Sequence, residues 1–197
     1  MRKLILVVLF APLFIFSQNT NSVYNELNEL IENNIDSSQP GIISNIYSET
    51  KGLDYSISFG INDISKNDFL DKFDQFRIAS VTKTFLSATI LRLWEENKIN
   101  LDDSISKYIS KEHYNILIKG DYNPEKITVR HLLNHSSGMY DHTTHPNFFK
   151  KISDNPSYKW TRTEQINSCI DWGNPIGSPG NQFKYSDTGY VILGGII

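Results

Sequence analysis

The sequence predicts an α/β fold, and three stretches carry that prediction. Two strand-like runs, 41–47 and 53–59, flank Ser48-Glu49-Thr50-Lys51-Gly52 and read as a β-hairpin. Residues 80 to about 97 read as a helix that is apolar almost all round, with Phe85, Leu86, Ala88, Ile90, Leu91, Leu93 and Trp94, which assigns it to a core. Residues 23–35 place Val23, Leu27, Leu30 and Ile31 at the spacing of an amphipathic helix. A single hairpin is marginal alone, so the sheet needs further strands or a packed helix.

Composition bounds what this fold can do. With 197 residues, 39% of them hydrophobic and 21% charged, the chain has the length and apolar content of one folded domain. A net charge of −3 gives no basic footprint for nucleic acid. At the N-terminus, Arg2 and Lys3 precede thirteen mostly apolar residues from Leu4 to Phe16, interrupted by Pro12. That run is shorter than the roughly 20 residues a membrane span requires. Residues 1–17 are therefore expected to be a signal peptide, with the domain over 18–197 in the periplasm or secreted, and the signal segment its only membrane contact. No cysteine lies near the cleavage point to carry a lipid anchor. Cys169 is the sole cysteine, which leaves no internal disulfide and reads as a small buried residue.

The rest of the chain is read in order. Pro40-Gly41 breaks the first helix from the hairpin, and 60–75 is polar and loop-like. After the apolar helix, Asn100-Leu101-Asp102-Asp103 opens a short helix towards Ile109. Thr128 caps another over 129–134. Residues 139–160, with Pro146 and Pro156, look irregular, and 161–172 form a further helix. Pro179-Gly180 turns the chain into Gln182 to Ser186, and 188–197 is apolar to the last residue. That uncapped ending and the scarcity of strands predict that the chain stops before its fold does.

One pattern carries chemistry. Ser-x-x-Lys occurs at Ser48–Lys51, Ser80–Lys83 and Ser104–Lys107. Residues three apart on a helix are neighbours, and a serine becomes a nucleophile when a base takes its proton. Ser48–Lys51 falls in the polar turn of the hairpin. Ser104–Lys107 reads as an exposed, acidic helix start. Ser80–Lys83 opens the apolar helix, where a hydroxyl and an amine need a reason to sit. The plain alternative is that Ser80 caps the helix and Lys83 extends outward to solvent.

Four stretches taken together resemble the serine β-lactamase and penicillin-binding protein superfamily, in the branch of class C β-lactamases, D-alanyl-D-alanine carboxypeptidases and their esterase relatives. They are Phe76 to Phe85, Leu101 to Ile109, Ile127 to Gly138 and Pro179 to Ile197. The resemblance runs from about Pro40 to the end and matches the family's N-terminal portion only. It implies helices on a mixed, largely antiparallel sheet, with an inserted all-helical region over about 100–175. It implies acyl transfer through an acyl-enzyme, with Ser80 as nucleophile, Lys83 as its base, and Tyr185 sharing that role and protonating the leaving group. The Ser80 backbone N–H would form half of an oxyanion hole. No cofactor or metal is implied. The partner is a small-molecule or peptidoglycan-derived peptide substrate, attacked at an ester, amide or β-lactam carbonyl.

Two departures qualify the likeness. Asp187 stands where the family's Tyr-x-Asn motif has asparagine. A carboxylate only accepts hydrogen bonds, and beside Lys83 it favours the ammonium form. That moves the base role towards Tyr185 and weakens the case for β-lactams or peptides, unless Asp187 turns away to cap the following helix. On the whole pattern an esterase or a peptide-directed hydrolase is expected rather than a β-lactamase. Neither Lys-Thr-Gly nor His-x-Gly occurs, so the strand that closes the family's cavity is absent. The chain alone is expected to be inactive and poorly folded. A non-catalytic binding or sensor domain of the same fold is the rival reading.

Other clusters read as structural. His131 and His135 lie four apart on a short helix, and Asp141, His142 and His145 share a loop, but neither set makes a complete ligand shell. Tyr140, Phe148, Phe149 and Trp160 either line a substrate entrance or fill the helical region.

Overall fold

The structure, a computed structural model, describes residues 22–35, 41–63, 65–66 and 68–197. The expected signal peptide and Pro40 lie outside the described residues. The fold is α/β, with seven helices and an antiparallel sheet among the described residues, and the chain divides into two compact units between Arg77 and Ile78.

In the first unit, residues 22–34 form helix α1. β1 (Gly41–Ser48) and β2 (Leu53–Asp63) pair antiparallel in continuous register from Gly41↔Gly60 to Ser48↔Leu53. The hairpin is tight because Gly52 takes φ 61°, a left-handed conformation that glycine reaches without a Cβ clash. β2 runs further than its sequence suggests and pairs with β3 (Asp68–Phe69) inside the expected loop. Polar Asn62, Asp63 and Asp68 hid this pairing, and the register shifts between Ile61 and Asp63, as a bulge does. α1 turns Val23, Leu27 and Ile31 inward together with Tyr24, but Leu30, expected on the same face, is exposed. Tyr24 stacks on Tyr55 of β2 with ring centroids 5.0 Å apart, and the Tyr55 hydroxyl donates to Asn28.

The second unit is helical. A 3-10 turn, Ala79–Val81, leads into α2 (Thr82–Glu95), followed by α3 (Lys111–Lys119), α4 (Val129–Leu133), α5 (Pro146–Asp154), α6 (Arg162–Trp172) and α7 (Asp187–Leu193). Caps explain most boundaries. Thr128 and Thr161 each form a capping box, with His131 and Glu164 respectively, satisfying orphan N–H groups at the starts of α4 and α6. The stretch read as irregular contains α5, because Pro146 occupies the first helical position, where its missing N–H costs nothing. The expected helix after Asn100 is reduced to one 3-10 turn, Ile105–Lys107, with Ser104 as its cap.

The core gathers Leu117 from α3, Leu132 from α4, Ile166 and Cys169 from α6, and Ile192 and Leu193 from α7, with Met139 between them. α2 departs from expectation. Only Ile90 is fully buried, while Phe85, Leu91 and Trp94 are exposed. Its apolar residues encircle the axis, and α7 packs against one side of it, with a 2.9 Å hydrogen bond between Ser87 and Tyr190. Among the described residues, no helix is long and apolar enough to cross a membrane.

Candidate active site

Ser80 lies in the 3-10 turn immediately before α2, and Lys83 follows one turn later on the same side. The Lys83 ammonium donates to Ser80 Oγ at 3.0 Å. The residue before the serine, Ala79, has φ 44°, a strained value for a residue with a Cβ. Strain of this kind persists where the surroundings hold it, and it clusters at functional sites. The other two Ser-x-x-Lys pairs are engaged differently. Lys107 binds Asp103 at 2.6 Å, and the Ser104 hydroxyl donates to the Pro124 carbonyl at 2.7 Å. Ser48 ends β1, and Lys51 belongs to the turn after it.

Tyr185 reaches the same serine from the loop before α7, its hydroxyl 2.9 Å from Ser80 Oγ. Two residues on, Asp187 occupies the first position of α7 and forms an ion pair with Lys83. Asp187 therefore does not turn away to cap α7. Ser186 is the residue at that cap, and the Asp187 carboxylate faces the lysine. Ser80, Lys83, Tyr185 and Asp187 form one connected cluster.

The cluster has a platform. His135 takes φ 57° at the end of α4 and stacks on the Tyr185 ring at 4.3 Å. Its carbonyl accepts the Lys184 N–H at 2.7 Å, and its Nδ1 accepts the Ser186 N–H at 3.2 Å. These two bonds brace the backbone on either side of Tyr185. Accepting at Nδ1 requires a neutral ring. The His135 pKa is lowered, first by burial and then by the Lys83 charge, which keeps it in that form. For Lys83, burial opposes the ammonium. Hydrogen bonds to Asp187 and Tyr185 outweigh it and raise the lysine pKa above its ordinary value.

A family model described as Beta-lactamase matches residues 47–197. The chain belongs to the beta-lactamase family. Among curated relatives, Protein flp of Staphylococcus aureus (strain NCTC 8325 / PS 47) is 28% identical over 179 residues, which are 90% of this chain and 34% of flp. Among solved structures, the octameric penicillin-binding protein homologue from Pyrococcus abyssi is 29% identical with a TM-score of 0.68, over 88% of this chain and 38% of that one. The D-stereospecific amidohydrolase from Streptomyces sp. is 27% identical with a TM-score of 0.62, over 80% and 43%. The chain thus spans about a third of the length of the curated relatives it matches.

In this beta-lactamase-family chain, two recesses border the Ser80–Lys83 pair. One, of about 570 Å³, is walled by Ser87, Leu91, His135, Tyr185 and Tyr190. The other, of about 540 Å³, is walled by Thr143, Phe148, Phe149, Gln165, Asp187 and Val191. Phe148 and Phe149 therefore stand at a rim. Trp160 stacks behind Phe148 at 5.2 Å, and Tyr140 lies deeper, its carbonyl accepting from Thr188 at 2.9 Å and from Ser186 and Cys169 at 3.3 Å. His131 is spent on its capping box, and His145 caps α5. Among the described residues, no three His, Cys, Asp or Glu side chains converge on a metal-sized site.

Three residues at the cluster carry no motif of their own. Tyr190 donates to the Leu133 carbonyl at 2.8 Å and presents its ring to Lys83. His135, spaced four residues from His131 in the sequence, serves the Tyr185 side of the cluster instead of a histidine pair. Thr143 was not singled out, although its hydroxyl lies 3.0 Å from Asp187. His135 and Tyr190 lie within stretches that carry the family resemblance, whereas Thr143 lies in none, and the contacts of all three are with residues distant in the chain.

Proposed function

We propose that this chain carries the nucleophile and proton-transfer half of an exported serine hydrolase. The observation that supports it best is the convergence of Lys83 Nζ and the Tyr185 hydroxyl on one serine oxygen, at 3.0 and 2.9 Å. Ser80 Oγ attacks a carbonyl carbon as its proton passes to the Tyr185 oxygen, which takes it as a phenolate, its own proton having first gone to solvent and its charge being stabilised by the Lys83 ammonium. The same proton then goes to the leaving alcohol or amine as its bond to carbon breaks. Water attacks the acyl-enzyme, gives a proton back through the same groups, and releases the acid with Ser80 restored.

Asp187 keeps Lys83 charged, which gives Tyr185 the larger share of the base role. Esters, and small amides or peptidoglycan-derived peptides, suit the site better than β-lactams. The similarity to a penicillin-binding protein homologue and to a D-stereospecific amidohydrolase supports an acyl substrate of this class. No cofactor, metal or nucleic acid enters the scheme. The basic and apolar N-terminus supports export to the periplasm or beyond, with the signal segment as the membrane contact.

A second reading, a binding or sensor domain without turnover, is favoured by the Lys83–Asp187 ion pair, which withholds a free amine. Fluorophosphonate labelling of the full-length protein separates the two. The hydrolase reading predicts an adduct on the peptide containing Ser80, abolished by Ser80→Ala and retained in Ser104→Ala. No adduct between pH 6 and 9 would establish the binding reading instead.

A further inference from the structure

The Asp187 carboxylate has two neighbours on opposite sides. One oxygen pairs with Lys83, and the other, Oδ2, accepts from the Thr143 hydroxyl at 3.0 Å. That same hydroxyl lies 2.8 Å from Asp141 Oδ1, which also accepts the Thr143 N–H at 3.1 Å. Asp141 is buried at 6% exposure and caps the 3-10 turn His142–Thr144. A threonine hydroxyl holds one proton and so donates to one carboxylate at a time. Pointed at Asp187, the proton offsets part of its charge. Pointed at Asp141, it leaves the full charge of Asp187 on the cluster.

We propose that Thr143 is a positioning residue that acts through Asp187, holding its carboxylate on Lys83 and tempering the negative charge felt by the base that activates Ser80. The proposal rests on the hydrolase reading above. Its sign does not depend on which group is the base. A more negative carboxylate favours the protonated form of any neighbouring acid, whether ammonium or phenol. Losing the Thr143 hydroxyl therefore makes the serine harder to deprotonate. The groups facing the pair are Lys83 from α2, Tyr185 and Tyr190 from the chain entering and following the start of α7, His135 from the end of α4, and Asp141 and His142 from the intervening turn. Of these, Asp141 is the one that the Thr143 hydroxyl links to Asp187.

The test measures the fluorophosphonate labelling rate of the full-length protein against pH. In Thr143→Val, the acid limb should move to higher pH by about one unit, with about a tenfold lower rate on that limb, the size expected for a hydrogen bond to a charged group. Thr143→Ser should restore the wild-type profile. In an Asp187→Asn background, Thr143→Val should leave the limb where it was, which a loss of packing alone would not do. Unchanged profiles for Thr143→Val, or an equal shift in the Asp187→Asn background, overturn the proposal while Ser80 labelling stands. Labelling that survives Ser80→Ala overturns the hydrolase reading, and this proposal with it.

Discussion

At the residue scale, the site is a contest over protons on one oxygen. Lys83 and Tyr185 both reach Ser80 Oγ, and Asp187 decides how firmly Lys83 keeps its charge. Replacing Asp187 with asparagine removes that hold and lets burial lower the lysine pKa. The acid limb of Ser80 labelling in Asp187→Asn should move to lower pH by about one unit or more, since an opposite charge at this range shifts a pKa by about 1–3 units. A limb that stays in place in labelling against pH would show that Lys83 does not govern activation. Ser80 and Lys83 were legible in the sequence because helical spacing makes them neighbours and, of three such pairs, this one opens an apolar helix inside a stretch that resembles the family. Thr143 was not, since it meets Asp187 across 44 residues that only folding brings together.

At the element scale, the site depends on how α4, α7 and the loop before α7 are held. The His135 carbonyl and ring tie down Lys184 and Ser186, so the end of α4 positions Tyr185. The chain just after α4 is pinned in turn at Gly138, whose φ of 74° and carbonyl, accepting the Ile176 N–H at 2.8 Å, set the path of the next strand of loop. A Cβ at Gly138 would lie 2.1 Å from the Gly177 carbonyl oxygen. Gly138→Ala should therefore destabilise the protein by about 3 kcal/mol, combining left-handed strain with a backbone clash. Chemical denaturation of the purified protein measures this, and a change below about 0.5 kcal/mol would place the mutation among ordinary surface substitutions. The capped helix after Thr128 was readable from its sequence, while Thr161, read as the first helical residue, is the cap of α6. α5 was hidden because a proline signals an interruption and a helix start alike.

At the scale of the whole molecule, titration couples to stability through the helical unit. His113, His131, His135 and His142 all have lowered pKa values, with burial the largest cause in each. A lowered folded pKa gives stability that is complete above the unfolded value of about 6.5 and is lost as pH falls through the folded values. Glu164, lowered to about 2 by Tyr158 and Thr161, loses its contribution in a separate window below about pH 4.5. Melting temperature should fall between about pH 7 and 5, before the carboxylates titrate. A flat melting temperature across that interval would show that these histidines reach solvent in the folded state. The α/β class, the hairpin, the caps and the Ser80–Lys83 pair follow from periodicity and spacing, which act over a few residues. The exposed face of α2, the His135 platform under Tyr185, and the junction of Asp141, Thr143 and Asp187 follow from tertiary packing. Burial and long-range hydrogen bonds are properties of where distant segments meet, and no local pattern encodes that meeting.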